Sequence, residues 1–181
     1  MKLFENEFQT TLLVKRTIKY SSEQKNKIIM SKITIGEKLP EFELLDQNSE
    51  TISSESLLGK PLVLYFYPKD DTPGCTAEAC SFRDNFEDFI AEGAQVVGVS
   101  ADSPAAHAKF AAKYRLPFTL LSDKGNKLRK TIGVPTNFLG LIPGRVTYIF
   151  DAEGVLVSEF NSQFKATQHI TEALEQLKQL K

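Results

Sequence analysis

Leu62-Val-Leu-Tyr-Phe-Tyr-Pro-Lys-Asp-Asp-Thr-Pro-Gly-Cys-Thr-Ala-Glu-Ala-Cys80 is the stretch from which the fold can be read. Its first part, Leu62 to Tyr67, is an unbroken apolar run closed by Pro61 and Pro68, the pattern of a strand covered on both faces. Pro68 to Gly74 cannot extend that strand, and an amphipathic stretch from Pro73 to about Glu92 follows. Cys75 therefore falls in the first turn of a helix that begins where the strand ends. Downstream, Gln95–Ser100 reads as a second buried strand. Ser103-Pro104 opens a helix to about Tyr114, with Ser as N-cap and Pro at the first helical position. Phe118–Leu121 is a third strand and Gly125–Ile132 a short helix. Val146–Phe150 and Val155–Phe160 form a hairpin around Asp151-Ala-Glu-Gly154. Ala166–Leu180 closes the chain as a helix with Ile170, Ala173, Leu174 and Leu177 on one face. Strands alternating with helices, plus one late hairpin, predict an α/β three-layer sandwich around a central mixed β-sheet.

A chain of 181 residues with 41% hydrophobic and 25% charged residues suits one domain with one core. Twenty-two Lys/Arg against 23 Asp/Glu leave a net charge of -1, without the basic excess that binds phosphate backbones or anionic lipid, so neither nucleic acid nor membrane is an expected partner. The run Leu62–Tyr67 is far short of the roughly 20 residues of a membrane-spanning helix. Residues 1–30 carry six Lys/Arg and three Glu, a net +3 that leaves -4 for the remainder. We read 1–32 as a poorly ordered N-terminal extension of a domain spanning 33–181. Leu12-Leu13-Val14 is too short for a secretory core, and one Arg with three Glu suits a transit peptide poorly. The expected location is the cytoplasm, with the plastid stroma as the alternative if residues 1–30 act as a targeting segment. Met30 also offers an internal start.

The two cysteines carry the chemistry. At a helix N-terminus, free N–H groups and the positive end of the helix dipole favour a thiolate at Cys75, whereas a free thiol is only about 3% ionised at pH 7. Cys75, Ala79, Phe82, Phe86 and Phe89 recur at steps of four and three, so the three Phe pack into the core with Cys75 at the leading end of their stripe. Arg83, Asp84, Glu87 and Asp88 form a solvated face. Cys80 lies five residues on, about 140° around and about 7.5 Å along the helix, a Cα separation of roughly 8 to 9 Å. A disulfide tolerates less than about 7 Å, so if these two thiols bond within one chain the first turns must unwind. Three uses remain for such a pair. Metal binding needs further ligands, and His107 and His169 read as surface residues, so no metal is expected. Thioredoxin-type exchange normally uses a C-x-x-C spacing. A redox sensor or peroxidase needs an activated thiolate and a mobile second thiol.

Pro68-x-x-x-Thr72-x-x-Cys75 matches the active-site pattern of the peroxiredoxins, and Tyr67 to Asp84 resembles the peroxiredoxin Q / bacterioferritin comigratory protein subfamily. The similarity runs from about Ile35 to the C-terminus, through Val97–Asp102, Leu116–Asp123 and Pro143–Asp151. The resemblance implies a thioredoxin-like fold, a peroxidatic Cys75, a resolving Cys80 that forms a disulfide with it, and an active-site Arg145. It implies a peroxidase of hydrogen peroxide and organic hydroperoxides, reduced by thioredoxin or a similar dithiol and needing no cofactor. Thr72, helix N–H groups and Arg145 would stabilise charge along the O–O axis, and Pro68 would shield the sulfur. Resolution within one helix needs no partner subunit, so a monomer is expected. A non-catalytic redox sensor or holdase, and a glutathione- or glutaredoxin-linked peroxidase, are the competing readings.

Overall fold

The computed structural model describes residues 32–137 and 142–180, so the expectation placed on residues 1–31 lies outside the described residues. A mixed seven-stranded sheet forms the middle layer. Its strands are β1 (Glu43–Asp46), β2 (Thr51–Ser53), β3 (Leu62–Phe66), β4 (Gln95–Ser100), β5 (Thr119–Ser122), β8 (Val146–Phe150) and β9 (Leu156–Asn161), in the spatial order β2-β1-β5-β4-β3-β8-β9. β6 (Thr136–Asn137) and β7 (Ile142–Pro143) pair separately as a short ribbon. β3, β4 and β5 run parallel, whereas β8 is antiparallel to β3, with Phe66 opposite Val146 at the end of the ladder.

β3 is buried on both faces, as an uninterrupted apolar strand must be. Val63 and Tyr65 point into one cluster with Phe82, Phe89, Phe110, Ile170 and Leu177. Leu62, Leu64 and Phe66 point into the other, with Leu128, Ile132 and Leu156. The first cluster is covered by α1 (Pro73–Asp84), α2 (Phe86–Ala91), α3 (Pro104–Tyr114) and α5 (Gln168–Lys178), and the second by α4 (Lys127–Ile132). These are the three layers expected. Gly98 on β4 is required by this packing, because a Cβ there would stand 2.7 Å from the Tyr65 ring.

Two expectations are corrected, and one element is added. The helix read from Pro73 to about Glu92 is broken at Asn85, whose φ of -109° and ψ of 16° leave the helical region. Its side chain donates to the Ser81 carbonyl at 2.8 Å, the local competition with helix bonding typical of Asn. The β1–β2 hairpin has no counterpart in the sequence pattern; it is short and half-exposed, and adds itself antiparallel to β5. Finally, His107 and His169 are fully buried rather than at the surface.

Candidate functional site

The site forms where β3 and β8 part. β3 gives way at Tyr67 to the loop Pro68–Thr72, which feeds α1, while Arg145 enters β8 from the opposite direction. Thr72 is the N-cap of α1, with extended φ and ψ, and Pro73 opens the first turn, where its missing N–H costs nothing. Cys75 follows in that turn and faces the sheet with 2% of its surface exposed. N–H groups at the start of a helix have no intrahelical acceptor, so the dipole and free donors lie beside the sulfur.

Arg145 reaches across to it. Its guanidinium is buried, donating from Nη2 to Cys75 Sγ at 3.4 Å, from Nη1 to Glu78 Oε2, and from Nε to the Gln163 carbonyl at 3.4 Å. Gly74 permits the approach, since a Cβ there would lie 3.2 Å from Nη2. Burial works against the Arg145 charge, but Glu78 and then Cys75 outweigh it and hold its pKa above the ordinary value. Glu78, one turn after Cys75 and fully buried, has its pKa pushed up to about 8 by burial, with Arg145 pulling the other way. Beyond Glu78 Oε1, at 3.7 Å, stands His169 Nδ1. His169 donates from Nε2 to the Ser162 carbonyl at 2.9 Å, so Nδ1 accepts the Thr147 hydroxyl at 2.8 Å. Burial lowers the pKa of His169 to about 4 and keeps the ring neutral.

The loop itself is held from α3. Asp70 is buried, accepting from the Tyr67 hydroxyl at 2.7 Å and facing His107 Nδ1 at 2.8 Å, while His107 Nε2 lies 3.2 Å from the Leu121 carbonyl. Asp71 takes a left-handed φ of 59°, which among side-chain-bearing residues Asp and Asn tolerate best, and accepts from Lys113 Nζ at 2.7 Å and Tyr114 Oη at 2.7 Å. Two successive carboxylates thus anchor the loop to one helix.

The residues singled out from sequence are placed as follows. Cys75 and Arg145 are in contact. Thr72 is three residues upstream, with its hydroxyl on the Lys69 carbonyl at 3.2 Å rather than on the sulfur. Pro68 is half-buried at the mouth of the loop. Cys80 is half-buried further along α1, and both cysteines are free thiols. Glu78, His107, Asp70, His169 and Arg129 were missed. Glu78 had a signal, since it lies on the same buried stripe as Cys75, Ala79 and Phe82, where a carboxylate is out of place. His107 shares a face with Phe110, and His169 with Ala173 and Leu177. Among the described residues no group of three or more His, Cys, Asp or Glu could hold a metal ion, and no helix is long and apolar enough to cross a membrane.

The guanidinium and the helix N-terminus that surround this buried sulfur are donors placed to meet negative charge developing on an oxygen that leaves from it. Comparisons agree with that chemistry. The AhpC/TSA family model matches residues 35–159. A chloroplastic peroxiredoxin Q of Populus jackii is 51% identical over 164 residues, covering 91% of this chain and 76% of its own length. That match is longer than the 149 residues from Ile33 to Lys181, so it reaches at least 15 residues into the segment that the sequence motifs leave outside the similarity. The crystal structure of peroxidoxin BcpB from Mycobacterium tuberculosis superposes with a TM-score of 0.76 at 35% identity, covering 82% of this chain and 99% of that one. The bacterioferritin comigratory protein of Xanthomonas campestris, studied for alkyl peroxide reduction, superposes with a TM-score of 0.71 at 32% identity, covering 77% and 91%. The fold is thioredoxin-like, as expected. The cytoplasmic expectation is overturned: the plant relatives, including those of Sedum lineare and Arabidopsis thaliana, are chloroplastic proteins.

Proposed function

Because this chain belongs to the peroxiredoxin family, in its peroxiredoxin Q / bacterioferritin comigratory protein subfamily, and is thus a thiol peroxidase with a redox-active cysteine, we propose that Cys75 is that cysteine and Cys80 its resolving partner. The observation that carries the assignment is the Arg145 Nη2 to Cys75 Sγ hydrogen bond at 3.4 Å in the buried first turn of α1.

The Cys75 thiolate attacks one oxygen of ROOH. An S–O bond forms, the O–O bond breaks, and the leaving alkoxide or hydroxide takes a proton to become ROH or water. Arg145 and the free N–H groups of the first turn supply the charge stabilisation. Thr72 contributes its hydroxyl after turning away from the Lys69 carbonyl, and Pro68 shields the sulfur from solvent. Cys75 is now a sulfenic acid. Cys80 attacks its sulfur and expels water, leaving a Cys75–Cys80 disulfide. A thioredoxin-like dithiol reduces that disulfide through a mixed disulfide, giving up two electrons and becoming the disulfide itself. Substrates are hydrogen peroxide and organic hydroperoxides; the alkyl peroxide activity of the Xanthomonas relative supports the latter. The domain spans residues 33–181, with 1–32 as an N-terminal extension, and works as a monomer. The plastid designation of the plant relatives supports the stroma as its location.

Steady-state peroxide consumption with thioredoxin and its reductase tests the reading. Cys75→Ser is expected to be inactive, and Cys80→Ser to complete one oxidation and then stall. Sustained turnover by Cys75→Ser would refute the assignment, and turnover supported by glutathione with glutaredoxin but not by thioredoxin would replace the reductant.

A further inference from the structure

Where β3 and β8 part, the regular ladder ends at the pair Phe66 and Val146, and the chains then diverge to carry the two halves of the site. The next carbonyls outward, those of Tyr67 and Gly144, belong to the residues immediately before Pro68 and Arg145. Neither can be left bare in the interior without cost. A single side chain takes both. Arg129, on α4 from the opposite layer, is 5% exposed and donates from Nη1 to the Gly144 carbonyl at 2.9 Å and from Nη2 to the Tyr67 carbonyl at 2.9 Å. Its guanidinium carbon sits 5.4 Å from the centre of the Phe66 ring, and its own backbone N–H donates to Asp123 Oδ2 at 2.9 Å. Gly144 is fixed from its other side too, because its N–H donates to the Pro135 carbonyl at 2.9 Å, where a Cβ would approach to 2.3 Å.

We infer that Arg129 is a positioning residue of the peroxidase site, a planar two-pronged brace that fixes the backbone entering Arg145 against the backbone leaving β3 toward Cys75. It deepens the peroxidase reading and rests on it. The geometry calls for a guanidinium in particular: two N–H groups in one plane reach two carbonyls at once, whereas an ammonium, a compact point charge, cannot hold that fork. Burial lowers the pKa of Arg129 to about 10, so it stays cationic at neutral pH, and its charge interacts with the Cys75 sulfur. The brace touches neither sulfur nor substrate. Its effect passes through where Arg145 and the Pro68–Thr72 loop stand, and a misplacement on the order of 1 Å can cost about a hundredfold in rate.

The test uses Arg129→Lys and Arg129→Met in the full chain with Cys80→Ser, so that only Cys75 reports. Two second-order rates are measured at neutral pH, that of hydrogen peroxide and that of iodoacetamide. Alkylation needs only an accessible thiolate, whereas peroxide cleavage also needs donors aligned on the leaving oxygen. The expected result is that the peroxide rate falls about tenfold or more in both variants while alkylation changes by less than about threefold, Lys failing to rescue because the fork is lost. If Lys restores the peroxide rate, charge alone suffices and the brace is refuted. Peroxide and alkylation rates falling together would equally refute it, as a general loss of structure. If Arg129→Met does not fold, Arg129→Lys alone decides by the same ratio. A wild-type protein that alkylates at Cys75 but ignores peroxide would sink the peroxidase reading instead, and chemical shifts of the Arg145 guanidinium in the two variants would still show whether the brace moves it.

Discussion

Glu78 makes the site sensitive to pH in a way that sequence did not announce. With its pKa raised from 4.5 to about 8, the folded protein binds one more proton than the unfolded chain across that interval, so Glu78 takes stability away as pH rises through it. His169 acts in the opposite sense, because its pKa falls from 6.5 to about 4 and the unfolded chain binds the extra proton between those values. The two contributions cancel between about 4.5 and 6.5, and from 6.5 to 8 Glu78 acts alone. Urea unfolding at pH 5.5, 6.5 and 8 should therefore show a plateau and then a decline, which Glu78→Gln removes; a decline of equal slope in that variant would show that another group is responsible. Arg145→Ala leaves the fully buried Glu78 carboxyl without its partner, and at neutral pH that unpaired group should cost about 1 to 3 kcal/mol in stability. Adding Glu78→Gln should return part of that loss, while the peroxide rate stays down by about a hundredfold.

At the scale of the element, α1 has two jobs that pull against each other. Its N-terminal turn presents Cys75 to Arg145, while Phe82, fully buried and stacked on Tyr65 with ring centroids 4.5 Å apart, pins the later turns to the sheet. Helical spacing keeps Cys75 and Cys80 roughly 8 to 9 Å apart, beyond the reach of a disulfide, so the proposed Cys75–Cys80 bond requires the turns before Phe82 to unwind. Hydrogen exchange of the oxidised protein is expected to lose protection from Gly74 to Cys80 and keep it around Phe82; full protection across α1 would contradict intramolecular resolution. Phe82→Ala should cost about 3 to 5 kcal/mol, read by thermal or denaturant unfolding. The stripe of Cys75, Ala79 and Phe82 was legible because a helix repeats its face at known intervals, and Phe89 is buried as expected although it lies on α2, past the break. The break at Asn85 was not legible, because it depends on a side-chain bond to Ser81 that composition does not reveal.

Across the whole molecule, the strands that could be read were those buried on both faces, since a short continuous apolar run between turn residues has to be covered above and below. The β1–β2 hairpin escaped because Glu43, Leu45 and Thr51 stay exposed and leave no such run. Cys75 was legible from its place where strand becomes helix and Arg145 through resemblance, and the structure adds their contact. The buried histidines and Arg129 were not, because a polar residue becomes an interior brace only when distant strands deliver carbonyls and carboxylates to it. His107, facing Asp70 and the Leu121 carbonyl, joins α3 to the active-site loop in this way. His107→Leu should strand the Asp70 carboxylate, lower stability by about 1 to 3 kcal/mol, and raise proteolytic cleavage within Pro68–Thr72; unaltered cleavage would show that the loop does not depend on that anchor. Light scattering of the reduced chain should give the mass of one copy at every concentration tried. The most direct test of the account is to add one equivalent of hydrogen peroxide to the fully reduced protein and locate the change by peptide mass. The expected result is a loss of two hydrogens shared between the peptides of Cys75 and Cys80, and one added oxygen on Cys75 when Cys80 is Ser. Oxygen appearing first on Cys80, or no oxidation faster than that of a free cysteine, would contradict it.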